Sequence, residues 1–234
     1  MLKAILILVA MCLVAPDRCV ASDQVILLHG LCRTKRSMST MEAALTRAGY
    51  VVVNIDYPSR SAPIAQLSET SIGEAVNACR AQGAGKIHFV THSMGGILVR
   101  DYLSRHSMPD LGRVVMLGPP NQGSELVDIF GRWWIFNVIN GPAGKELSTN
   151  PDSTPCKLGT VNFSLGVIAG DRSVNWINSM LIPGANDGKV SVERTKVAGM
   201  GDHVVVHATH PFILKNRVAI EQTIKFLHDG GFNH

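Results

Sequence analysis

The 234-residue sequence lacks the short patterns that hold metal ions or mark redox sites. Neither a C-x-x-C nor an H-E-x-x-H spacing is present, so no metal site of known pattern is predicted. Internal repeats, low-complexity segments and charged tails are also missing. Lys and Arg outnumber Asp and Glu by only 22 to 18, and the basic residues are scattered, which argues against nucleic acid as a partner.

Long hydrophobic runs are missing as well, because the apolar stretch at residues 4–15 is too short to span a bilayer comfortably. This stretch follows Lys3 and ends at Pro16, and small residues at Cys19 and Ala21 suit a cleavage site. Residues 1–21 are therefore predicted to be a secretory signal peptide of a secreted or periplasmic protein. The alternatives are a buried first strand or an uncleaved membrane anchor.

Cysteines are few. Five are present, and Cys12 and Cys19 belong to the predicted signal peptide. The remaining three are Cys32, Cys79 and Cys156, and an odd number cannot all pair within one chain. The sequence does not indicate which two of them, if any, form a disulfide.

The rest of the chain alternates between two kinds of pattern. Short apolar runs predict strands at residues 24–30, 50–56, 113–118, 163–170 and 203–208, and a further strand ends just before Ser93. Capping boxes at Ser39 and Ser71 predict helices over residues 39–48 and 71–82, and an amphipathic helix is predicted over 217–229. This alternation predicts one α/β domain over residues 22–234, with a mostly parallel central sheet and helices on both faces.

Two segments lack strand patterns. Residues 124–160 are apolar and aromatic at first and then rich in turn residues, which makes them a candidate lid or insert. Residues 171–189 have the composition of a loop.

The stretch around Ser93 carries the strongest chemical signal. An apolar run ends in Thr91-His92-Ser93-Met94-Gly95-Gly96, and a helical pattern follows at once. This differs by one residue from the G-x-S-x-G nucleophile elbow, since Thr91 replaces the first glycine. The alternative is a turn that only joins a strand to a helix.

Four motifs make the sequence resemble a small α/β-hydrolase of the lipase/esterase type. They are Leu-Leu-His-Gly at 27–30, Thr-His-Ser-Met-Gly-Gly at 91–96, Pro-Pro-Asn-Gln-Gly-Ser at 119–124 and Asn-Asp-Gly-Lys-Val at 186–190. The resemblance implies the α/β-hydrolase fold and a Ser-Asp-His triad in that chain order. It also implies that no cofactor or metal is needed.

By this resemblance, Ser93 is the nucleophile and Asp187 the triad acid, with Asp171 as a rival because it follows a predicted strand directly. His203, His207 and His210 are the candidate bases. We favour His210 because it lies in the loop beyond the last strand pattern, from where a side chain can reach over the strand ends.

The resemblance also implies an oxyanion hole made by the backbone N–H groups of Leu31 and Met94, with His29 shaping the first of these loops. Trp133, Trp134 and Phe136 form either an apolar substrate wall or lid, or an ordinary buried helix of the outer layer. Arg33, Lys35 and Arg36 either attract an anionic head group or form a solvated surface cluster.

The sequence therefore predicts an exported serine esterase or lipase with an ester or lipid substrate and transient contact with a lipid surface. The alternatives are an acyltransferase or thioesterase with the same triad, or an inactive binding module of the same fold. Acyl-chain length and oligomeric state are not predicted.

Overall fold

The computed structural model describes residues 22–174 and 176–234. The predicted signal peptide, residues 1–21, lies outside the described residues. Within them, no helix combines the length and the apolar character needed to cross a membrane.

A six-stranded, fully parallel sheet forms the centre of the fold, in the strand order β2-β1-β3-β4-β5-β6. β1 and β3, in the interior of the sheet, are buried along their whole length, as expected for strands covered on both faces. The strands are β1 Gln24–Leu28, β2 Val51–Ile55, β3 Ile87–His92, β4 Leu111–Leu117, β5 Leu165–Gly170 and β6 Asp202–Val206.

Helices cover both faces of this sheet. The α-helices are α1 Ser39–Arg47, α2 Ile64–Leu67, α3 Gly73–Ala81, α4 Met94–Arg105, α5 Glu125–Phe130, α6 Trp134–Lys145, α7 Thr154–Lys157, α8 Trp176–Leu181, α9 Val192–Thr195 and α10 Arg217–Asp229. Successive side chains of a strand point to opposite faces, so β1 feeds two cores. Val25 and Leu27 join the core with α1 and α10, whereas Ile26 and Leu28 join the core with α3 and α4. The predicted fold class is confirmed.

The two helices that the capping boxes predict are present, as α1 Ser39–Arg47 and α3 Gly73–Ala81, but Ser39 and Ser71 do not cap them. The turn before α1 is a 3₁₀ helix, Lys35–Met38, and the helical segment that contains α3 begins at Ile64 and passes through a π turn at Ser68–Ile72. Neither predicted cap makes a side-chain bond, because the buried side chains Met38 and Leu67 already fix the preceding turns as helical. Two further corrections are small: β6 ends at Val206, not at 208, and the loop at 171–189 contains α8.

The candidate lid, residues 124–160, is largely helical, and several of its large apolar side chains are exposed. α6 bends at Gly141-Pro142, where Gly141 has a φ of +67° and passes so close to the Arg60 carbonyl that an added Cβ would lie 2.0 Å from its oxygen. Trp133 is 58% exposed and Trp134 74% exposed, while Phe136 is half-buried. Of the two alternatives, a buried outer-layer helix therefore does not describe the two tryptophans.

Candidate active site

Ser93 stands at a strained turn between β3 and α4. Its φ of +52° and ψ of −125° lie where few residues other than glycine are found, and the turn lifts the side chain away from the sheet. Gly95 makes this possible, because a Cβ there would lie 2.9 Å from the carbonyl oxygens of Leu28 and His29. Thr91, which replaces the usual glycine, is fully buried in β3 and does not prevent the elbow geometry.

His210 reaches Ser93 from the loop after β6. Its Nε2 lies 3.0 Å from the Ser93 Oγ, and its Nδ1 lies 2.6 Å from the Asp187 Oδ2. The side chains of His210 and Asp187 are 5% and 1% exposed, whereas Ser93 is half-buried. The hydroxyl is thus the accessible member of a chain of three hydrogen-bonding groups.

The Asp187 carboxylate is held in place from its other side. Its Oδ1 accepts hydrogen bonds of 2.9 Å from the backbone N–H groups of Lys189 and Val190. The backbone N–H of His210 also donates to the Asp187 carbonyl at 2.9 Å, which joins the two loops directly. The neighbouring Asn186 is buried and accepts from the Gly188 N–H, so the turn that presents Asp187 is itself fixed.

The alternative acid, Asp171, pairs with one of the alternative bases, His207. Asp171 Oδ2 lies 2.7 Å from His207 Nδ1, and the His207 side chain is 76% exposed. His203, the third candidate base, contacts the Thr195 hydroxyl at 3.0 Å. Of the candidate acids and bases, only Asp187 and His210 are brought to Ser93.

The loop after β1 packs against this serine. A Cβ on Gly30 would lie 3.0 Å from the Ser93 Cβ, so only glycine fits there. His29 shapes the loop as predicted: its Nδ1 lies 2.9 Å from the Gly30 carbonyl and its ring stacks on Tyr57. Burial, the largest influence, lowers the pKa of His29, which favours a neutral ring.

Two backbone N–H groups near Ser93 have no acceptor among the described residues. Within the described part of the chain, neither Leu31 N–H nor Met94 N–H donates to a protein atom. Leu31 follows Gly30, and Met94 is the first residue of α4. Free donors in these positions suit a developing negative charge on a substrate oxygen.

Comparison with known proteins identifies the family of this chain. The model of the alpha/beta hydrolase family matches residues 25–176, which is more than half of the chain. The chain belongs to this family. The match includes Ser93 but ends before Asp187 and His210.

Solved structures with the same fold include a lipase, a phospholipase and a carboxyl esterase. The mature form of the lipase BlEst2 from Bacillus licheniformis matches with a TM-score of 0.71 at 19% identity, over 89% of this chain and 93% of that one. Phospholipase PlaB from Legionella pneumophila, in complex with thio-NAD, matches with 0.65 at 16%, over 88% and 62%. The metagenomic carboxyl esterase MGS0156 matches with 0.61 at 19%, over 82% and 65%. No curated protein matches the sequence.

One residue of this alpha/beta hydrolase was missed in the sequence. His92 precedes Ser93, is buried, and its Nε2 lies 3.0 Å from the His210 carbonyl oxygen. Because a carbonyl only accepts, Nε2 carries the proton and donates it. Burial, followed by the nearby His210, holds the pKa of His92 well below its usual value. Its place at the end of a buried strand was the available signal.

The 119–124 motif of this hydrolase supports the loop of Asp187. Ser124 donates to the Lys189 carbonyl at 2.8 Å, and Asn121 donates to the Thr195 carbonyl at 2.8 Å. Arg100, buried and without a carboxylate partner in the described chain, donates to the Asn121 carbonyl at 2.9 Å. Burial lowers the pKa of Arg100 to about 10.

A cleft of about 940 Å³ lies beside the Leu31 loop. Of the residues predicted to shape the substrate site, Arg33 lines it, whereas Lys35, Arg36, Trp133, Trp134 and Phe136 do not. The cleft is lined by Cys32, Arg33, Thr34, Asp56, Tyr57, Pro58, Ser59, Arg60, Ser61 and Val138.

The three cysteines of the described chain, Cys32, Cys79 and Cys156, are unpaired. The described residues contain no group of three or more His, Cys, Asp or Glu side chains that could hold a metal ion.

Proposed function

We propose that this alpha/beta hydrolase cleaves carboxylic esters through an acyl-enzyme on Ser93. The observation that carries the proposal is the single line of contacts from the Asp187 carboxylate through both ring nitrogens of His210 to the Ser93 hydroxyl. A serine hydroxyl is a weak nucleophile until an oriented base accepts its proton, and this arrangement supplies that base.

The first half of the reaction acylates the serine. His210 Nε2 accepts the Ser93 proton while Oγ attacks the ester carbonyl carbon. The carbonyl oxygen becomes an oxyanion, and the N–H groups of Leu31 and Met94 donate to it. His210 then returns the proton to the alkoxy oxygen, and the alcohol leaves as the carbonyl re-forms on the enzyme.

The second half reverses these roles with water. His210 removes a proton from water, the hydroxide attacks the acyl carbon, and Ser93 leaves with that proton. Asp187 accepts from His210 Nδ1 throughout and stabilises the imidazolium that forms twice in each cycle. His92, through the His210 carbonyl, limits movement of the loop that carries the base.

The substrate's acyl part is proposed to be apolar. Exposed Trp133, Trp134 and Val138 lie in the candidate lid between β4 and β5, and such surfaces favour transient contact with lipid or with an acyl chain. The names of the lipase, the phospholipase and the esterase of the same fold support this substrate class.

A panel of esters of increasing acyl length tests the reaction and the chain preference together. Each ester is assayed for alcohol release with the wild-type protein and with Ser93→Ala. We expect hydrolysis that depends on Ser93. Preference for emulsified long chains would indicate a lipase and preference for soluble short chains an esterase, whereas equal hydrolysis by Ser93→Ala would refute the proposal.

Export is proposed from residues 1–21 alone. The apolar stretch at 4–15 and the small residues before Ser22 support cleavage at that point. N-terminal sequencing of protein from the culture medium or the periplasm should begin near Ser22. A chain that keeps Met1 and sediments with membranes would indicate an anchor.

A further inference from the structure

The cleft beside the Leu31 loop is rich in positive charge. Arg33 enters it from the loop after β1, and Arg60 enters it from the loop after β2. Arg33 has no carboxylate partner in the described chain, and Arg60 donates through Nη1 to a neutral acceptor, the Ile139 carbonyl, at 3.2 Å. Neither guanidinium group is therefore paired with a carboxylate in the described chain.

One carboxylate, Asp56, also lines the cleft and accepts a backbone hydrogen bond through one of its oxygens. Asp56 Oδ1 accepts from the Lys35 backbone N–H at 3.0 Å and lies 3.2 Å from His29 Nε2. Next to it, the Ser59 hydroxyl oxygen accepts from the Cys32 N–H at 3.1 Å, which leaves its own proton free to donate. The cleft thus presents two guanidinium groups and a hydroxyl donor beside one carboxylate.

The positive charge of Arg33 adjoins a second cation, Lys189, in the loop of Asp187. The pKa of Lys189 is lowered, first by desolvation of its ammonium group and second by repulsion from Arg33. The residue as a whole is exposed. Lys189 lies two residues after Asp187. Arg33 and Lys189 also contribute, after burial and His210, to the lowered pKa of His92. An anion between cleft and serine would relieve this repulsion.

The cleft adjoins the loop that carries the proposed oxyanion donor. Cys32, at its edge, follows directly on Leu31, whose N–H is the proposed oxyanion donor. The volume of the cleft, about 940 Å³, lies within the range of small-molecule sites. Arginine forks match the oxygens of a phosphate group, and bidentate bonds of this kind are strong.

We propose that Arg33 and Arg60 bind the phosphate group of the substrate, so that the preferred esters are acyl glycerophosphates whose acyl group reacts at Ser93. This inference rests on the proposed ester hydrolysis. It names the alcohol part of the substrate, which the motifs around Ser93 leave undefined.

A matched pair of monomeric substrates tests this inference: a short-chain 1-acylglycerol 3-phosphate and the 1-acylglycerol with the same acyl chain. The test variant is the double substitution Arg33→Gln/Arg60→Gln. The control is Arg36→Gln, because Arg36 is exposed in the 3₁₀ helix that follows the same loop and does not line the cleft. We expect the wild-type protein to prefer the phosphate ester. In the double variant, kcat/KM for that ester should fall roughly 10- to 100-fold more than for the neutral ester, since about two charged hydrogen bonds are lost.

Inhibition of neutral-ester hydrolysis identifies what the cleft binds. At constant ionic strength, glycerol 3-phosphate should compete more strongly than inorganic phosphate, and the double variant should abolish its effect. Competition by inorganic phosphate alone would mean a site for free phosphate and would overturn the assignment to substrate.

Other outcomes separate this inference from the proposed function. Equal kcat/KM for both esters in the wild-type protein, or an equal loss for both in the double variant, would overturn the inference while Ser93-dependent hydrolysis remained. The same loss in Arg36→Gln would indicate general charge attraction instead of a site. Hydrolysis that persists in Ser93→Ala would overturn the proposed function itself.

Discussion

Replacing Asp187 by asparagine changes one atom of the carboxylate and tests the proposed acid. Asp187 Oδ2 accepts from His210 Nδ1 at 2.6 Å, and its Oδ1 is occupied by the Lys189 and Val190 N–H groups. In Asp187→Asn, the amide oxygen is expected to keep those two backbone donors, so the NH₂ group faces His210 Nδ1. The ring must then carry its proton on Nε2, and it no longer accepts the proton of Ser93.

The expected loss in kcat is about 10³- to 10⁴-fold, which corresponds to about 4–5.5 kcal/mol in the activation barrier. Asp171→Asn is the matched control, because Asp171 pairs with the exposed His207 and not with His210. Its kcat should stay within roughly threefold of the wild-type value, as for other surface changes. Both variants are assayed with one soluble ester after their folding has been checked by circular dichroism. A damaging Asp171→Asn beside a mild Asp187→Asn would refute the reasoning.

Three further predictions concern the base, the elbow and pH. His210→Ala should remove about as much activity as Ser93→Ala, and the double variant should be hardly worse, because the members of a triad act as a unit; His207→Ala should remain active, and the reverse pattern would transfer the role. In urea unfolding, Gly95→Ala should lower the free energy of unfolding by about 1–3 kcal/mol, because its Cβ would meet two backbone carbonyls. Gly73→Ala should raise it by about 0.5–1 kcal/mol, because the nearest atom to the added Cβ lies 3.9 Å away. Equal effects would contradict the packing argument. Burial lowers the pKa of His92, so the unfolded chain binds a proton below about pH 6.5 that the folded state does not, and stability falls as the pH falls. Between pH 7.5 and 5.5 the wild-type protein should lose up to about 1.4 kcal/mol more than His92→Gln, and an identical loss in both would show that His92 is not responsible.

The parallel sheet could be predicted from the sequence because its signal is local. Each buried strand is a short apolar run, and the two glycines that follow Ser93 and Met94 indicate the turn. The caps of the helices were less predictable. The boxes at Ser39 and Ser71 satisfy the capping pattern, yet buried contacts of Met38 and Leu67 extend the helical turns upstream, and such contacts are not visible in a short window.

The choice of His210 over His207 rested on a strand boundary that was not correct. β6 ends at Val206, which pairs with Gly170, so His207 also lies beyond the strand. What separates the two residues is direction: His210 turns inward onto Asp187, whereas His207 faces solvent beside Asp171. That difference depends on how the loop after β6 packs on the loop of Asp187, which is a long-range contact.

The parts of the site that could not be predicted are similarly non-local. His92 contacts the His210 carbonyl across 118 positions of sequence, and Ser124 contacts the Lys189 carbonyl across 65. Exposure of the candidate lid was also unpredictable, because its apolar pattern does not reveal whether protein or solvent covers it.

The proposed acyl-enzyme chemistry is tested most directly by covalent labelling with a fluorophosphonate probe, followed by intact-mass measurement and peptide mapping. The account predicts one equivalent of label on Ser93, none in Ser93→Ala, and much slower labelling in His210→Ala, since attack on phosphorus requires the same activated hydroxyl. An unlabelled wild-type protein, or a label that persists unchanged in Ser93→Ala, would contradict it.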